Sequence, residues 1–227
     1  MDIRLIIFDF DGTIGDTRRN IVKTLQMTME KMGLPVSSEA ECAATIGLTL
    51  DDAFRRLHPQ LGAAEASRCT ECYRVLFEIY KKELVPQPFP HVIETLGRLK
   101  RRGYRMTIAS SRSHLSLDGF VRDMQLGAYV DYVLGAEDAV RPKPDPAPVL
   151  KTLKDLGYRA GETLVVGDMP YDILMGSRAG AATCGVSYGN SSRDELLSCG
   201  ADYVIDEFSE LETVLDCDLP DEKAKVL

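Results

Sequence analysis

The sequence predicts an α/β protein: a Rossmann-like parallel sheet core with an inserted all-helical cap. Three observations lead to this fold class. Short apolar runs at 5–8 and 163–166 suit strands that are buried on both faces of a parallel sheet. From residue 92 onward such runs alternate with helical patterns, as βαβ units require. Residues 17–84 carry helical patterns only, which indicates an insertion behind the first strand.

The first apolar run ends at two acidic residues. Asp9 and Asp11 follow it, and Gly12 breaks the strand directly afterwards. A strand that ends near Asp9 presents its carboxylate at the carboxyl edge of the sheet, where open α/β sheets bind ligands. Two carboxylates at this spacing repel each other unless a cation or a shared proton neutralises them. Taken alone, the pattern is equally typical of a strand end with a solvated Asp-Gly turn.

The insertion is predicted to contain four helices. Residues that cap helix N-termini precede the first three: Thr17, Ser38 (with Glu41 three residues later) and Thr49. The fourth helix is predicted over 63–84. We therefore expect a core of residues 1–16 and 86–227 and a cap of residues 17–85. An insertion at this point would overhang the carboxyl edge of the sheet, where a mobile lid can cover a site.

The α/β part that follows supplies further polar side chains at the same edge. Strands are predicted at 105–109, 129–134, 163–166, 183–186 and 203–205. Helices are predicted at 92–103, 114–125 and 171–178, and one more follows the loop 141–146 and ends at Gly157. Ser110 follows one strand, Lys143 lies in a proline-rich loop, and Asp168 and Asp172 follow another strand. Each has a simpler interpretation on its own, as a helix cap or, for Lys143, as a solvated loop charge.

As a set, these residue types indicate a particular chemistry. Three or four carboxylates favour a hard, oxygen-seeking cation, most simply Mg²⁺. A hydroxyl group, a lysine and backbone N–H groups are what a phosphoryl group needs for binding. The three histidines, His58, His91 and His114, have no spacing that suggests zinc.

Composition limits the partners and the location. The 227 residues carry a net charge of −8, with an isoelectric point near 5.0, which disfavours nucleic acid and anionic membranes. No apolar run could span a bilayer and no signal peptide precedes the first strand, so we expect a cytoplasmic protein. The six cysteines, which include Cys217, are expected to be reduced thiols, and Cys69-x-x-Cys72 lacks the second pair of a zinc site.

Four motifs together resemble the haloacid dehalogenase superfamily of phosphohydrolases, in its phosphoglycolate phosphatase-like branch with a helical cap. The first motif is Asp9-Phe10-Asp11-Gly12-Thr13, and the second is the strand that ends in Ser110. The third is Lys143 in Lys-Pro-Asp-Pro, and the fourth runs from Gly167-Asp168 to Asp172. The resemblance covers about residues 4–215.

The resemblance implies a role for each position. Asp9 would be the nucleophile that forms an aspartyl-phosphate, and Asp11 the general acid and then the base. Mg²⁺ would bind Asp9, the backbone carbonyl of Asp11, and Asp168, with Asp172 close by. The phosphate-binding positions would be Gly12, Thr13, Ser110 and Lys143.

The expected function is a Mg²⁺-dependent phosphatase, monomeric or homodimeric, that acts on a small phosphorylated metabolite. An inorganic pyrophosphatase, a β-phosphoglucomutase-type phosphotransferase and a catalytically silent binding or regulatory protein stay open as alternatives. In the cap, Arg55, Arg56, His58 and the Ile46-Gly47 turn are candidates for substrate contact. Arg112 is interpreted as a substrate ligand or a solvent-facing residue, and is left outside the catalytic set.

Overall fold

The computed structural model describes residues 2–83 and 85–216 of the chain. The strands are β1 (Leu5–Phe8), β2 (Gly15–Asp16), β3 (Gln87–Pro88), β4 (Arg105–Ala109), β5 (Tyr132–Leu134), β6 (Thr163–Gly167), β7 (Ala182–Val186) and β8 (Tyr203–Ile205). The helices are α1 (Arg18–Lys31), α2 (Glu39–Ala43), α3 (Leu50–Leu57), α4 (Ala63–Tyr80), α5 (Val92–Arg101), α6 (His114–Asp123), α7 (Ala147–Leu156), α8 (Pro170–Arg178), α9 (Arg193–Ser198) and α10 (Leu211–Asp216).

Six strands form a parallel sheet in the order β5-β4-β1-β6-β7-β8. The chain adds β4 and β5 on one side of β1 and β6, β7 and β8 on the other. The carboxyl end of β1 is therefore the topological switch point, where open α/β sheets bind ligands. This arrangement confirms the predicted fold class.

The side chains of β1 alternate between two hydrophobic clusters, one on each face of the sheet. Ile6 and Phe8 belong to the larger cluster, and Leu5 and Ile7 to the smaller one. All four are fully buried, as expected for a central strand with both faces covered. The larger cluster continues through Phe10 into the helices that follow β2, so the sheet and those helices share apolar packing.

Helices α1–α4, here called the cap helices, lie between β2 and β3. Their predicted start signals are present at two places. Ser38 and Glu41 form a capping box on α2, and the Thr49 side chain accepts a hydrogen bond from the Asp52 N–H at the start of α3. The fourth helix ends at Tyr80 rather than near residue 84.

The two connections to the cap helices pair with each other, which the sequence analysis did not predict. Gly15 pairs with Pro88 and Asp16 with Gln87 in an antiparallel ribbon formed by β2 and β3. A two-residue strand leaves no alternation of apolar and polar side chains, so periodicity cannot reveal it. The ribbon joins the entry and exit of the cap segment at its base.

Some predicted bounds differ from the structure. The strand predicted over 129–134 begins only at Tyr132, because Tyr129 and Val130 donate their N–H groups to the Leu126 carbonyl of the 3-10 turn Leu126–Ala128. None of the described helices combines the length and the apolar character that a bilayer crossing requires. Cys217 and the polar end predicted for 218–227 lie outside the described residues.

Candidate active site

Three buried carboxylates meet at the carboxyl ends of β1 and β6. One oxygen from each of Asp9, Asp168 and Asp172 lies within 4.8 Å of the others. Asp9 directly follows β1, Asp168 directly follows β6, and Asp172 lies in the first turn of α8. Their exposed fractions are 3%, 0% and 1%. Because parallel strands end at the same edge of the sheet, residues that are far apart in the chain come together here.

One buried lysine faces two of these carboxylates. Lys143 Nζ donates to Asp9 Oδ1 at 2.5 Å and to Asp172 Oδ1 at 2.7 Å. The loop before α7 brings this side chain into the cluster, where the lysine is 4% exposed. A single ammonium group opposes three carboxylates, so negative charge remains in excess when all of them are ionised.

The pKa values reflect this excess. Burial raises the pKa of Asp9 to about 7, Asp172 and Asp11 add to the rise, and Lys143 opposes it. Burial, followed by the charges of Asp9 and Asp172, raises the pKa of Asp168 well above its usual range. Burial alone would lower the pKa of Lys143, but the carboxylates of Asp172 and Asp9 outweigh that effect and raise it.

These residues fit a divalent cation. Asp9 Oδ2 is buried and has no hydrogen-bond partner among the described residues, and such an atom is costly unless something else satisfies it. All the candidate donors are oxygen atoms, the type that Mg²⁺ prefers. The surplus of carboxylates over lysine supplies the charge that such a cation would balance.

Asp168 is held by a residue that the sequence analysis missed. The backbone N–H and the side-chain Nδ2 of Asn190 both donate to Asp168 Oδ2, each at 2.7 Å. Asn190 lies in the loop after β7, at the same edge of the sheet as Asp9. Asn190 comes after a parallel strand, as Ser110 and Asp168 do, and this position is the signal in the sequence that points to it.

Two glycines let the backbone approach Asp168 closely. Gly12 has φ +88°, and a Cβ atom there would lie 2.1 Å from Asp168 Oδ2. At Gly189, a Cβ atom would lie 2.4 Å from the Asp168 Cβ and 2.5 Å from the Gly12 carbonyl oxygen. Any side chain at either position would therefore displace Asp168 or the turn after β1.

The turn after β1 uses its own N–H groups. Gly12 N–H donates to the Gly15 carbonyl at 3.0 Å, and Thr13 N–H donates to the Phe10 carbonyl at 3.3 Å. Thr13 is fully buried, and its Oγ1 lies 3.5 Å from Asp168 Oδ1. The N–H groups of Gly12 and Thr13, the predicted phosphate-binding positions, thus form hydrogen bonds within the turn itself.

Ser110 and its neighbour lie where β4 meets the cap. Ser110 is 8% exposed, and its Oγ accepts a hydrogen bond from the Arg112 N–H at 3.2 Å. Ser111 Oγ donates to the Gly47 carbonyl at 2.6 Å. Gly47, in the turn predicted to reach the site, has φ +92°, and a Cβ atom there would lie 3.4 Å from Tyr171.

Asp11 makes an ion pair that the sequence analysis did not anticipate. Its Oδ1 accepts hydrogen bonds from Arg112 Nε at 2.9 Å and Nη2 at 2.7 Å. Thr17 Oγ1 donates to the same oxygen at 2.6 Å instead of capping α1. The Arg112 side chain is 9% exposed, so the interpretation of Arg112 as a solvent-facing residue is wrong.

A cavity of about 420 Å³ separates this edge of the sheet from the cap helices. Its core wall includes Asp9, Asp11 and residues 110–113, and its cap wall includes residues 45–51. Apolar side chains also line the cap wall, namely Ile21, Leu25, Tyr73 and Phe77, together with the charged α4 residues Arg74 and Glu78.

Three cap candidates from the sequence are absent from the described lining of this cavity, namely Arg55, Arg56 and His58. Arg55 forms an ion pair with Asp52 at 2.6 Å. His58 is buried with Nε2 3.0 Å from Met29 Sδ, and burial lowers the pKa of His58. Of the cap candidates, only the Ile46-Gly47 turn lines the cavity.

Comparison with known sequences places this architecture in a family. The family profile described as haloacid dehalogenase-like hydrolase matches residues 6–186. The chain belongs to the haloacid dehalogenase-like hydrolases. This result confirms the resemblance that the four motifs indicated.

Curated relatives and a solved structure agree with this membership. The chain is 34% identical over 211 residues to the probable phosphatase IndB of Dickeya dadantii, with 91% of each chain covered. It is 30% identical to the pyrophosphatase PpaX of Bacillus mycoides, covering 95% of this chain and 98% of the relative. It is 29% identical to a phosphoglycolate phosphatase of Yersinia pseudotuberculosis, covering 92% and 91%. The crystal structure of a haloacid dehalogenase-like hydrolase from Bacteroides fragilis superposes with a TM-score of 0.87 at 28% identity, covering 92% and 99%.

Proposed function

We propose that this member of the family is a Mg²⁺-dependent phosphatase that hydrolyses a phosphomonoester of a small metabolite through an aspartyl-phosphate at Asp9. The observation that carries the proposal is the buried cluster of Asp9, Asp168 and Asp172 around Lys143, in which Asp9 Oδ2 lacks a hydrogen-bond partner among the described residues. Relatives named phosphatase, pyrophosphatase and phosphoglycolate phosphatase support the same class of reaction.

Asp9 would attack the phosphorus atom with a carboxylate oxygen. Attack by a carboxylate on a phosphate dianion meets like-charge repulsion, so positive charge must lie beside both. Lys143 supplies part of it at 2.5 Å from Asp9 Oδ1. The carboxylates of Asp9 and Asp168 and the backbone carbonyl of Asp11 would hold Mg²⁺, with Asp172 close by. When bound, Mg²⁺ supplies further positive charge for the phosphoryl oxygens.

Asp11 would exchange the proton in both halves of the reaction. As the Asp9–phosphorus bond forms and the bond to the leaving oxygen breaks, Asp11 gives its proton to that oxygen. Water then attacks phosphorus, Asp11 takes a proton from the water, and the Asp9–phosphorus bond breaks to release phosphate. Ser110 and Lys143 would contact the phosphoryl oxygens.

The cavity favours an organic leaving group over inorganic pyrophosphate. Apolar side chains from the cap, including Ile21, Leu25 and Phe77, line it. Among the described charged residues of the cap lining, Asp51 and Glu78 are acidic and Arg74 is basic, so a second phosphate there would lose hydration without meeting a surplus of positive charge. Arg112, a cation on the core wall, is already paired with Asp11. These features support a monoester substrate.

Turnover of p-nitrophenyl phosphate with Mg²⁺ and with EDTA tests this proposal. We expect metal-dependent release of p-nitrophenol that Asp9→Asn abolishes, because an amide is a poor nucleophile. Asp123→Asn, which changes an aspartate that is 61% exposed in its side chain, is the matched control and should keep wild-type turnover. Metal-independent turnover, or full activity in Asp9→Asn, would contradict the proposal.

A screen of phosphorylated metabolites then separates the remaining alternatives. Phosphoglycolate, sugar phosphates, nucleotides and pyrophosphate are compared by release of phosphate at equal concentration. A preference for pyrophosphate would favour the pyrophosphatase alternative, and transfer to a sugar instead of water would favour the phosphotransferase. The expected monomer or homodimer and the cytoplasmic location stay predictions.

A further inference from the structure

A buried arginine beside the cavity has no place in the roles given so far. Arg112 lies three residues beyond the end of β4. Besides its two hydrogen bonds to Asp11 Oδ1, it donates from Nη1 to Ser116 Oγ at 2.9 Å. A guanidinium presents its donors in a fixed planar fork, so three bonds of this kind determine its orientation.

Three phenylalanine rings surround the guanidinium of Arg112. Its central carbon lies 4.7 Å from the ring centre of Phe120, 4.8 Å from Phe77 and 6.0 Å from Phe10. A cation within about 6 Å of an aromatic face is attracted to it. Phe120 belongs to α6 of the core, whereas Phe77 belongs to α4 of the cap helices. Core and cap therefore hold Arg112 from two sides.

The hydrogen bonds described at the Asp11 carboxylate all end on one oxygen. Oδ1 accepts two from Arg112 and one from Thr17 Oγ1. An oxygen that accepts three donors is poorly placed to carry a proton, because a protonated carboxyl oxygen is itself a donor. The other oxygen, Oδ2, is then the atom that gives and takes the proton.

We propose that Arg112 is a positioning residue for Asp11. By holding Oδ1, it keeps Oδ2 for the oxygen of the leaving group and later for water. Phe77 keeps the guanidinium in place from the cap side, so the position of α4 also affects the orientation of the Asp11 carboxylate. This inference rests on the proposed function, which gives Asp11 its role in proton transfer.

Two aryl phosphates of similar shape provide the test. Phenolate is a more basic leaving group than p-nitrophenolate, so phenyl phosphate depends more strongly on a proton donor. A well-placed general acid contributes about 10²–10⁴-fold where the leaving group requires it. We expect Arg112→Gln to lower kcat/KM on phenyl phosphate at least about tenfold more than kcat/KM on p-nitrophenyl phosphate, since most of that contribution depends on position. The ratio kcat/KM reports the departure of the leaving group and not the hydrolysis of the aspartyl-phosphate, which both substrates share.

Two further variants make the test independent of a single substitution. Arg112→Lys keeps a cation that can donate to Oδ1, so it should restore part of the ratio between the two substrates. Phe77→Leu removes the ring on the cap side and should shift the ratio in the same direction as Arg112→Gln, by a smaller factor. Arg122→Gln, on the same helix as Phe120 but 77% exposed in its side chain, should leave the ratio at the wild-type value.

The outcomes separate this inference from the proposed function. Thermal unfolding identifies any variant that fails to fold, and the other Arg112 or Phe77 variant then gives the result. Equal losses of kcat/KM on both substrates, with an active wild-type enzyme, would show a structural role only and overturn the inference. A wild-type protein that hydrolyses neither aryl phosphate with Mg²⁺ would overturn the proposed function, and the role of Arg112 with it.

Discussion

Replacing Asp168 by asparagine is expected to stabilise the metal-free protein while it removes activity. Asp168 is fully buried, and its nearest oxygen lies within 4.8 Å of oxygens from Asp9 and Asp172. Those two carboxylates and the Lys143 ammonium leave one net negative charge facing Asp168. At an effective dielectric constant of about 20, repulsion at that distance is worth roughly 3 kcal/mol.

Part of this gain is lost again through hydrogen bonds. In the wild type, two hydrogen bonds from Asn190 end on a charged oxygen of Asp168. Each would weaken by about 1 kcal/mol in the variant, where the acceptor is neutral. The net expectation is that Asp168→Asn is about 1 kcal/mol more stable than the wild type. For a chain of this size that corresponds to a rise in Tm of about 2–4 °C.

Thermal unfolding at pH 8 in EDTA, and again with excess Mg²⁺, measures both sides of this expectation. In EDTA the variant should unfold at the higher temperature. With Mg²⁺ at about 100 times its Kd, the wild type should gain about 2.7 kcal/mol, whereas the variant, which lacks a ligand, should gain much less. Asp172→Asn is the contrasting variant, because Asp172 pairs with Lys143 and accepts a hydrogen bond from the Met169 N–H, so it should be destabilised.

The pH dependence has a definite sign. Burial raises the pKa of Asp168 in the folded protein, so its ionisation destabilises the fold as the pH rises above the unfolded value of about 3.9. The advantage of Asp168→Asn should therefore be present at pH 8 and shrink as the pH falls toward 4, and it should vanish below that, where Asp168 is protonated in both states. A variant less stable than the wild type at pH 8 in EDTA would refute this electrostatic account.

Two further predictions follow from the same cluster. Lys143→Met leaves Asp9 and Asp172 buried without their ammonium group and should lower the free energy of unfolding in EDTA by about 3 kcal/mol; unchanged urea unfolding would contradict this. Gly12→Ala should abolish turnover of p-nitrophenyl phosphate, because its Cβ would collide with Asp168. Gly33→Ala shares a positive φ but has open space around its Cβ, so it should lose about 1 kcal/mol of stability and keep its turnover; equal activity losses in the two variants would contradict the steric explanation.

Local sequence chemistry predicted the parts of the structure that depend on neighbouring residues. The caps at Ser38 and Thr49 depend on groups three residues away. The meeting of Asp9, Asp168 and Asp172 follows from a rule of topology, since parallel strands in one sheet end at the same edge. Both kinds of inference need only the order and type of the elements.

The contacts that the sequence analysis missed depend on tertiary packing. Arg112 and Asp11 are 101 residues apart, and Asn190 lies 22 residues beyond Asp168. Whether an arginine after a strand faces solvent or a buried carboxylate is decided by what covers it, here Phe77 from the cap helices. No pattern around residue 112 contains that information.

The unfavourable electrostatics of the cluster lead us to expect that a divalent cation stabilises the fold as well as supporting the proposed reaction. Three carboxylates buried against one lysine raise the pKa values of Asp9 and Asp168, which means that ionising them costs folding free energy. A bound divalent ion would reverse the sign of that cost by supplying the missing positive charge. Activity and metal-dependent stability should therefore be lost together at Asp168, whereas Arg112 should affect the choice of leaving group without affecting the gain in stability from Mg²⁺.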